Sequence, residues 1–289
     1  MDTLVKALAH QGAIRLIVVD ATETVKEAVR KHQTYPTASA ALGRSLSMAA
    51  IMGSMVKDEN TKITLQINGE GPLGTILVDG NALGQVRGFV ANPEVNLVHP
   101  VTHKLDVGSA VGKNGYLKVI KDLSMKDKFT GTVELQTGEI AEDFAYYFTV
   151  SEQTPSAVSL GVLVGEDNQV KAAGGILIQM MPFASEEDIL IAEDVIKHLK
   201  PVSQLISEGM TPTEIAEALF QDVNIMSGTS VEFYCGCSKE RMFEAITSLN
   251  KTEIVEMIEE DHGAEVTCHF CNSHYHFNEE ELKSLVKHS

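Results

Sequence analysis

Apolar positions fall into short runs in the first two thirds of the chain and into helical spacing elsewhere. Lys62–Asn68 (KITLQIN), Thr75–Asp79 (TILVD), Gln85–Ala91 (QVRGFVA), Tyr116–Lys121 (YLKVIK) and Thr130–Gln136 (TGTVELQ) read as strands. Ala157–Gly165 and Gln169–Met180 read as a hairpin across Glu166-Asp167-Asn168, residue types that favour turns. Asp20–His32, Thr37–Met55 and Glu139–Ser151 read as helices. The second starts after Pro36, where Thr37 and Ser39 can serve the free N–H groups of a helix start. Its Ala, Gly and Ser residues suit close packing against a neighbouring element. Hairpin strands flanked by helices predict an α+β domain with a mainly antiparallel sheet.

The texture changes at Met181-Pro182, and residues 183–230 read as all-helical. Ser185 with Asp188 forms a capping-box pattern ahead of Ile189–Leu199. Pro201 stops or restarts that helix, and Thr211-Pro212-Thr213-Glu214 joins a cap, a first-position Pro and a third-position Glu. Ile189, Ala192, Val195, Ile196, Leu199, Leu205, Ile206, Ile215, Leu219 and Phe220 form apolar faces that neighbouring domains are expected to cover. Nine acidic residues crowd this segment against Lys197 and Lys200, which weakens helices already too short to stand alone. Met180, Met181, Met210 and Met226 in or near it are gap-fillers or an adaptable surface. The expected division is a core domain over 1–181, a helical linker over 182–230 and a third unit over 231–289. That last unit falls below the roughly 70–80 residues at which one core suffices, so it needs a staple.

Composition narrows the picture. The 289 residues are 44% hydrophobic and 22% charged, an ordinary globular balance that argues against disorder throughout. The N-terminus lacks the order of a signal peptide. The most apolar long stretch, Thr37–Met55, contains Arg44 and several Ser and Gly residues, so it fails as a membrane span. A soluble cytoplasmic protein without a membrane partner is the expectation. Lys+Arg 23 against Asp+Glu 40 leaves a formal charge of -17, which repels a nucleic-acid backbone. Residues 231–289 carry five basic and twelve acidic side chains, so this unit is no phosphate binder either.

The four cysteines stand in that last unit as two pairs, Cys235-Gly236-Cys237 and Cys268-His269-Phe270-Cys271. In a reducing compartment such pairs bind metal or do redox chemistry more often than they form permanent bridges. Two close pairs far apart in sequence suit a tetrahedral site for one Zn2+, with Cys235, Cys237, Cys268 and Cys271 as ligands. Two readings stay open: a permanent structural staple, or a switch in which oxidation destroys the ligands and removes the roughly 10–16 kcal/mol of apparent metal binding energy. The spacing permits bridges within each pair without long-range movement. His262, His269, His274, His276 and His288 lie nearby, but four thiolates already close the shell and leave no open position for a zinc hydrolase. The dithiol Cys268–Cys271 also admits a thiol–disulfide oxidoreductase, although no βαβ pattern precedes it. Gly69-Glu70-Gly71-Pro72-Leu73-Gly74 matches a dinucleotide fingerprint, yet Pro72 lacks an N–H and a strand, not a helix, follows; a hairpin turn is expected.

The run Phe233-Tyr234-Cys235-Gly236-Cys237-Ser238-Lys239-Glu240-Arg241, then Cys268-His269-Phe270-Cys271-Asn272 and Tyr275-His276-Phe277, resembles the bacterial redox-regulated heat-shock holdases, the 33-kilodalton chaperonin family. Thr34–Arg44 and Gly174–Pro182 resemble it too, and the likeness spans the chain. The resemblance implies an ATP-independent chaperone of the oxidative-stress and heat-shock response rather than an enzyme, held inactive by zinc when reduced. It implies disulfides Cys235–Cys237 and Cys268–Cys271 on oxidation, zinc release, unfolding of the last unit and loosening of the linker. It also implies binding of unfolding client proteins and homodimerisation once activated. Combined with the apolar faces of the linker, it points to Ile189, Val195, Ile196, Leu199, Ile215, Leu219 and Phe220 as client-binding residues.

Overall fold

Each strand-like run between Lys62 and Gln136 is a strand in the computed structural model, which describes residues 1–56, 58–123 and 128–287, the last two as backbone. The first unit, Met1–Tyr234, runs β1 (Asp2–Ala9), β2 (Ile14–Asp20), α1 (Thr22–His32), α2 (Pro36–Ser54), β3 (Lys62–Asn68), β4 (Ile76–Asn81) and β5 (Gln85–Val90). It continues with α3 (Val107–Val111), β6 (Tyr116–Asp122), β7 (Phe129–Glu134), α4 (Ala141–Val150), β8 (Ser156–Val164) and β9 (Val170–Met180). The helices α5 (Glu186–His198), α6 (Val202–Ser207) and α7 (Pro212–Leu219) lead into β10 (Asn224–Phe233). The second unit begins at Cys235 and holds α8 (Lys239–Ile246), α9 (Lys251–Glu259), β11 (Gly263–Thr267), β12 (His274–Asn278) and α10 (Glu279–Lys287).

Among the described residues, ten strands form one sheet in the order β7-β6-β3-β4-β5-β10-β1-β2-β9-β8, antiparallel except where β10 meets β5. The fold is therefore α+β with an antiparallel-dominated sheet. One face, with Leu4, Ile17, Val19, Ile63, Leu65, Val78 and Leu177, packs on α1 to α4. At its centre α2 is buried along nearly its whole length, and the small residues explain how closely it lies on the sheet: a Cβ on Gly80 of β4 would stand 2.3 Å from the Ala49 carbonyl oxygen. Thr37 and Ser39 do not cap α2. The Thr37 hydroxyl bridges the backbone of Leu97, and Ser39 bonds to Thr34, so both tie neighbouring loops to the helix start.

The opposite face presents Ala7, Ala9, Ile14, Leu16, Val18, Ile176 and Ile178, alternate residues of β1, β2 and β9. The helices α5, α6 and α7 lie on it. Both expected start signals are made: Ser185 caps α5 with Asp188 closing the box, and Thr211 caps α7 with Glu214.

Two expectations are corrected. The segment 183–230 is not all-helical, because Asn224–Phe233 is a strand. Most of its side chains are exposed, so it has no alternation to read; its place is set by backbone pairing with β1, from Asp2↔Val231 to Leu8↔Asn224. The strand also runs through the boundary expected at residue 231, and the second unit starts four residues later. The Gly69–Gly74 motif is the β3–β4 connection: Gly69 and Gly71 abut the end of α3, where a Cβ on Gly69 would meet the Gly112 carbonyl oxygen at 2.1 Å.

Candidate metal centre

The second unit has a small apolar core: Ile246, Ile254, Ile258, Phe277 and Leu282 are buried, with Met242, Phe243, Met257, Val266 and Tyr275 packed around them. Period-2 alternation sorts the β11–β12 hairpin. Val266, Tyr275 and Phe277 face this core, while Glu265, His274 and His276 are turned to the other side and pair as His274–Glu265 at 2.8 Å and His276–Glu265 at 3.2 Å.

The thiols sit beside that core. Cys268 and Cys271 occupy the β11–β12 turn, which folds back on itself: the N–H of Asn272 donates to the Cys268 carbonyl at 2.7 Å and the N–H of Cys268 to the Ser273 carbonyl at 2.9 Å. Asn272 at φ 55° takes the left-handed position that Asn tolerates. Cys235 and Cys237 follow β10 directly and precede Ser238, which caps α8. Arg241 on that helix reaches back and donates to the Gly236 carbonyl at 2.7 Å, which fixes the short Cys-Gly-Cys segment.

These elements bring all four sulfurs within 4.8 Å of one another. Cys235 lies 3.8 Å from Cys268 and Cys237 lies 3.3 Å from Cys271. A tetrahedron with metal–sulfur bonds of roughly 2.3 Å has edges of about 3.8 Å, so the cluster fits one four-coordinate ion. The histidines stay outside it: His262 pairs with Glu279, and His274 and His276 with Glu265. His288 lies outside the described residues.

The thiol electrostatics suit a cation. Burial pushes the Cys268 thiol up to about 12 and raises that of Cys237. At Cys271 burial also pushes upward, but hydrogen bonds with Ser273 and with Cys237 and Cys235 outweigh it and bring the thiol to about 7. A partly buried set of this kind gives up its remaining protons when a dication supplies the positive charge.

Two contributors carry no signal in the spacing of the cysteines. The Tyr275 hydroxyl donates to Cys237 Sγ at 3.0 Å, and this contact raises the phenol's own pKa and keeps it protonated. Ser273 Oγ stands 3.3 Å from Cys271 Sγ. Alternation around His274 and His276 marks Tyr275 as inward-facing, but nothing in the sequence says which sulfur it meets.

Of the residues expected to touch clients, Val195, Ile196, Leu199, Ile215, Leu219 and Phe220 pack against the sheet face. Ile189 is 39% exposed and is not covered, because the inner side of α5 is formed by Ile191, Ala192, Val195 and Ile196. No described helix is long and apolar enough to cross a membrane.

Fold and site define a class: a mixed α+β unit with a helical cover, followed by a small unit closed by four thiols. The Hsp33 protein family matches residues 2–278, and the chain belongs to that family. A 33 kDa chaperonin of Halalkalibacterium halodurans is 51% identical over 288 residues, 99% of each chain, and one of a Geobacillus species is 50% identical over 286 residues, 98% of this chain and 97% of the relative. The crystal structure of the 33 kDa chaperonin of Thermotoga maritima superposes with a TM-score of 0.91 at 36% identity, covering 99% of this chain and 98% of that one.

Proposed function

We propose that this protein is a cytoplasmic, ATP-independent holdase, a binding protein rather than an enzyme, that is inactive when reduced and opened by oxidation. The observation that carries the reading is the convergence of Cys235, Cys237, Cys268 and Cys271 beside a core too small to hold the second unit by itself. These four side chains would hold one Zn2+, which when bound supplies a cross-link between the two cysteine pairs. Tyr275 and Ser273, each hydrogen-bonded to a sulfur, orient Cys237 and Cys271.

Oxidation by a peroxide takes two electrons from each cysteine pair and forms one sulfur–sulfur bond, while the peroxide is reduced to water. The disulfides are Cys235–Cys237 and Cys268–Cys271, the pairs adjacent in the chain. The close approaches Cys235–Cys268 and Cys237–Cys271 cross between the pairs, so peptide mapping of the oxidised protein decides between the two patterns. With its thiolates spent, the second unit loses its cross-link and unfolds. The chain enters that unit from β10, whose last residues Glu232 and Phe233 are held to β5 by two residue pairs, so disorder reaches this end of β10 first and has to cross its ladder with β1 to reach the linker, residues 182–230.

Lifting α5, α6 and α7 then uncovers two apolar surfaces: their own inner side, with Val195, Ile196, Leu199, Ile215, Leu219 and Phe220, and the sheet face with Ile14, Leu16, Val18, Ile176 and Ile178. Ile189 lies outside that inner side and is exposed whether or not the cover is lifted. Such a surface binds the exposed apolar segments of unfolding proteins or a second copy of the chain, which gives an activated homodimer. The net charge of -17 keeps the loaded complex soluble and away from nucleic acid. An oxidoreductase using Cys268 and Cys271 is disfavoured, since both are buried. The test follows zinc release and suppression of client aggregation together during peroxide treatment with mild heat. The two are expected to rise in step, and equal suppression by reduced and oxidised protein rejects the switch.

A further inference from the structure

We propose that the β1–β2 turn, residues 10–13, is a clasp that fastens the helical cover at both of its ends, and that the strength of this clasp sets how readily the cover lifts. The inference rests on the reading of α5 to α7 as a removable cover.

The turn has an unusual backbone. His10, Gln11 and Gly12 all take positive φ, at 49°, 55° and 88°. For His10 and Gln11 the Cβ makes this conformation unfavourable, and such residues persist where their surroundings hold them. The surroundings here are the cover. The N–H groups of His10 and Gln11 point the same way and donate to the two carboxylate oxygens of Asp222, each at 3.0 Å. Successive N–H groups turned to one side make an anion-binding concavity, and Asp222 fills it. Asp222 lies between α7 and β10, at the far end of the cover.

The near end meets the same turn. Asp188 closes the capping box of α5, accepting from Ser185 through one oxygen, and its other oxygen contacts His10 Nδ1. The N–H of Met181, just before the cover, donates to the Ala13 carbonyl at 2.9 Å. Residues 181, 188 and 222 therefore converge on three residues of one turn, His10, Gln11 and Ala13. Between these anchors the cover meets the sheet through Ala192, Val202, Ile215 and Ala216. Apolar contact has no direction, so it holds the helices down without fixing where they lie; the polar anchors supply the register. Both acceptors stay ionised well into acid. Hydrogen bonds from Ser185, with a smaller share from His10, hold Asp188 below the usual carboxylate range, and those from His10 and Gln11 do the same for Asp222.

Hydrogen–deuterium exchange on the full-length, reduced, zinc-loaded chain tests the clasp without any oxidant. Asp222→Ala is expected to quicken exchange over residues 186–219 by about ten-fold and His10→Ala by about three-fold, with β3 and β4 unchanged. Binding of the apolar dye bis-ANS should rise in the same order while zinc content stays constant. His10→Ala leaves the Ser185–Asp188 box intact, so it decides the matter if Asp222→Ala fails to fold. Parent-like exchange over 186–219 in both variants, or a change confined to residues 9–14, overturns the proposal. An oxidised parent that fails to hold clients would remove the switch but leave these oxidant-free rates as they are.

Discussion

The first unit encloses α2 almost end to end under one face of a broad sheet, whereas the second, among its described residues, buries an apolar cluster of five side chains and gathers four sulfurs beside them. Burial scales with size, so the first unit has apolar area to spare and the second does not. The cover over 186–219 is an intermediate case: it hides a real apolar face, but with short, acidic helices fixed by caps and by the turn at His10. Stability is therefore graded along the chain, and the parts with the least apolar support are those that the proposed switch moves.

The sharpest way to break this comparison is metal removal. Chelation of the reduced protein should abolish exchange protection over 235–287 and leave β1 to β9 protected, because an apparent binding energy of about 10–16 kcal/mol disappears from one unit alone. Cys268→Ser should lower zinc content sharply for the same reason; a second unit that stays protected without metal would show that its core suffices. Next comes Leu46→Ala in the buried middle of α2, expected to destabilise the first unit by about 2–5 kcal/mol in thermal melts with zinc content unchanged. Tyr275→Phe keeps the ring and removes the donor to Cys237; zinc affinity measured by chelator competition should fall by about ten-fold.

The smallest effect is expected from acid. Hydrogen bonds from the cap residues hold the carboxylates of Asp188 and Glu214 below their ordinary values, and those from the turn do so for Asp222. A group whose pKa is lowered by folding contributes stability above its unfolded value and loses it as pH falls through the folded one. Exchange over 186–219 should therefore quicken first below about pH 4, while reference segments of the first unit's sheet, such as β3 and β4, follow later. Simultaneous loosening of both would show that the cover is no weaker than the core.

Much of the first unit is legible in the sequence because its periodicities are local. Lys62–Asn68 is a strand over the whole expected range, and the Ser185 and Thr211 caps start helices where their spacing places them. The unit's first two strands and β10 are not among the elements expected from the pattern. β10 shows mostly exposed side chains, and its strand character comes from hydrogen bonds to β1 more than two hundred residues away. Ile189 departs from expectation for a related reason: an apolar stripe on a short helix fits more than one rotation, and packing against the sheet face turns Ile191 inward beside the expected Ala192 and leaves Ile189 exposed.

At the candidate site the sequence alone determined which atoms can bind a soft cation, since only four cysteines exist and they come in two pairs. It also determined that the unit around them is too small to dispense with help. That the four sulfurs share one point, that Tyr275 reaches Cys237, and that Asp188 and Asp222 meet at a single turn were decided by the tertiary structure. The physical reason is the range of the interactions. Residue type and spacing govern caps, alternation and donor chemistry over a few residues, while convergence of groups 33 to 212 residues apart depends on how the elements pack.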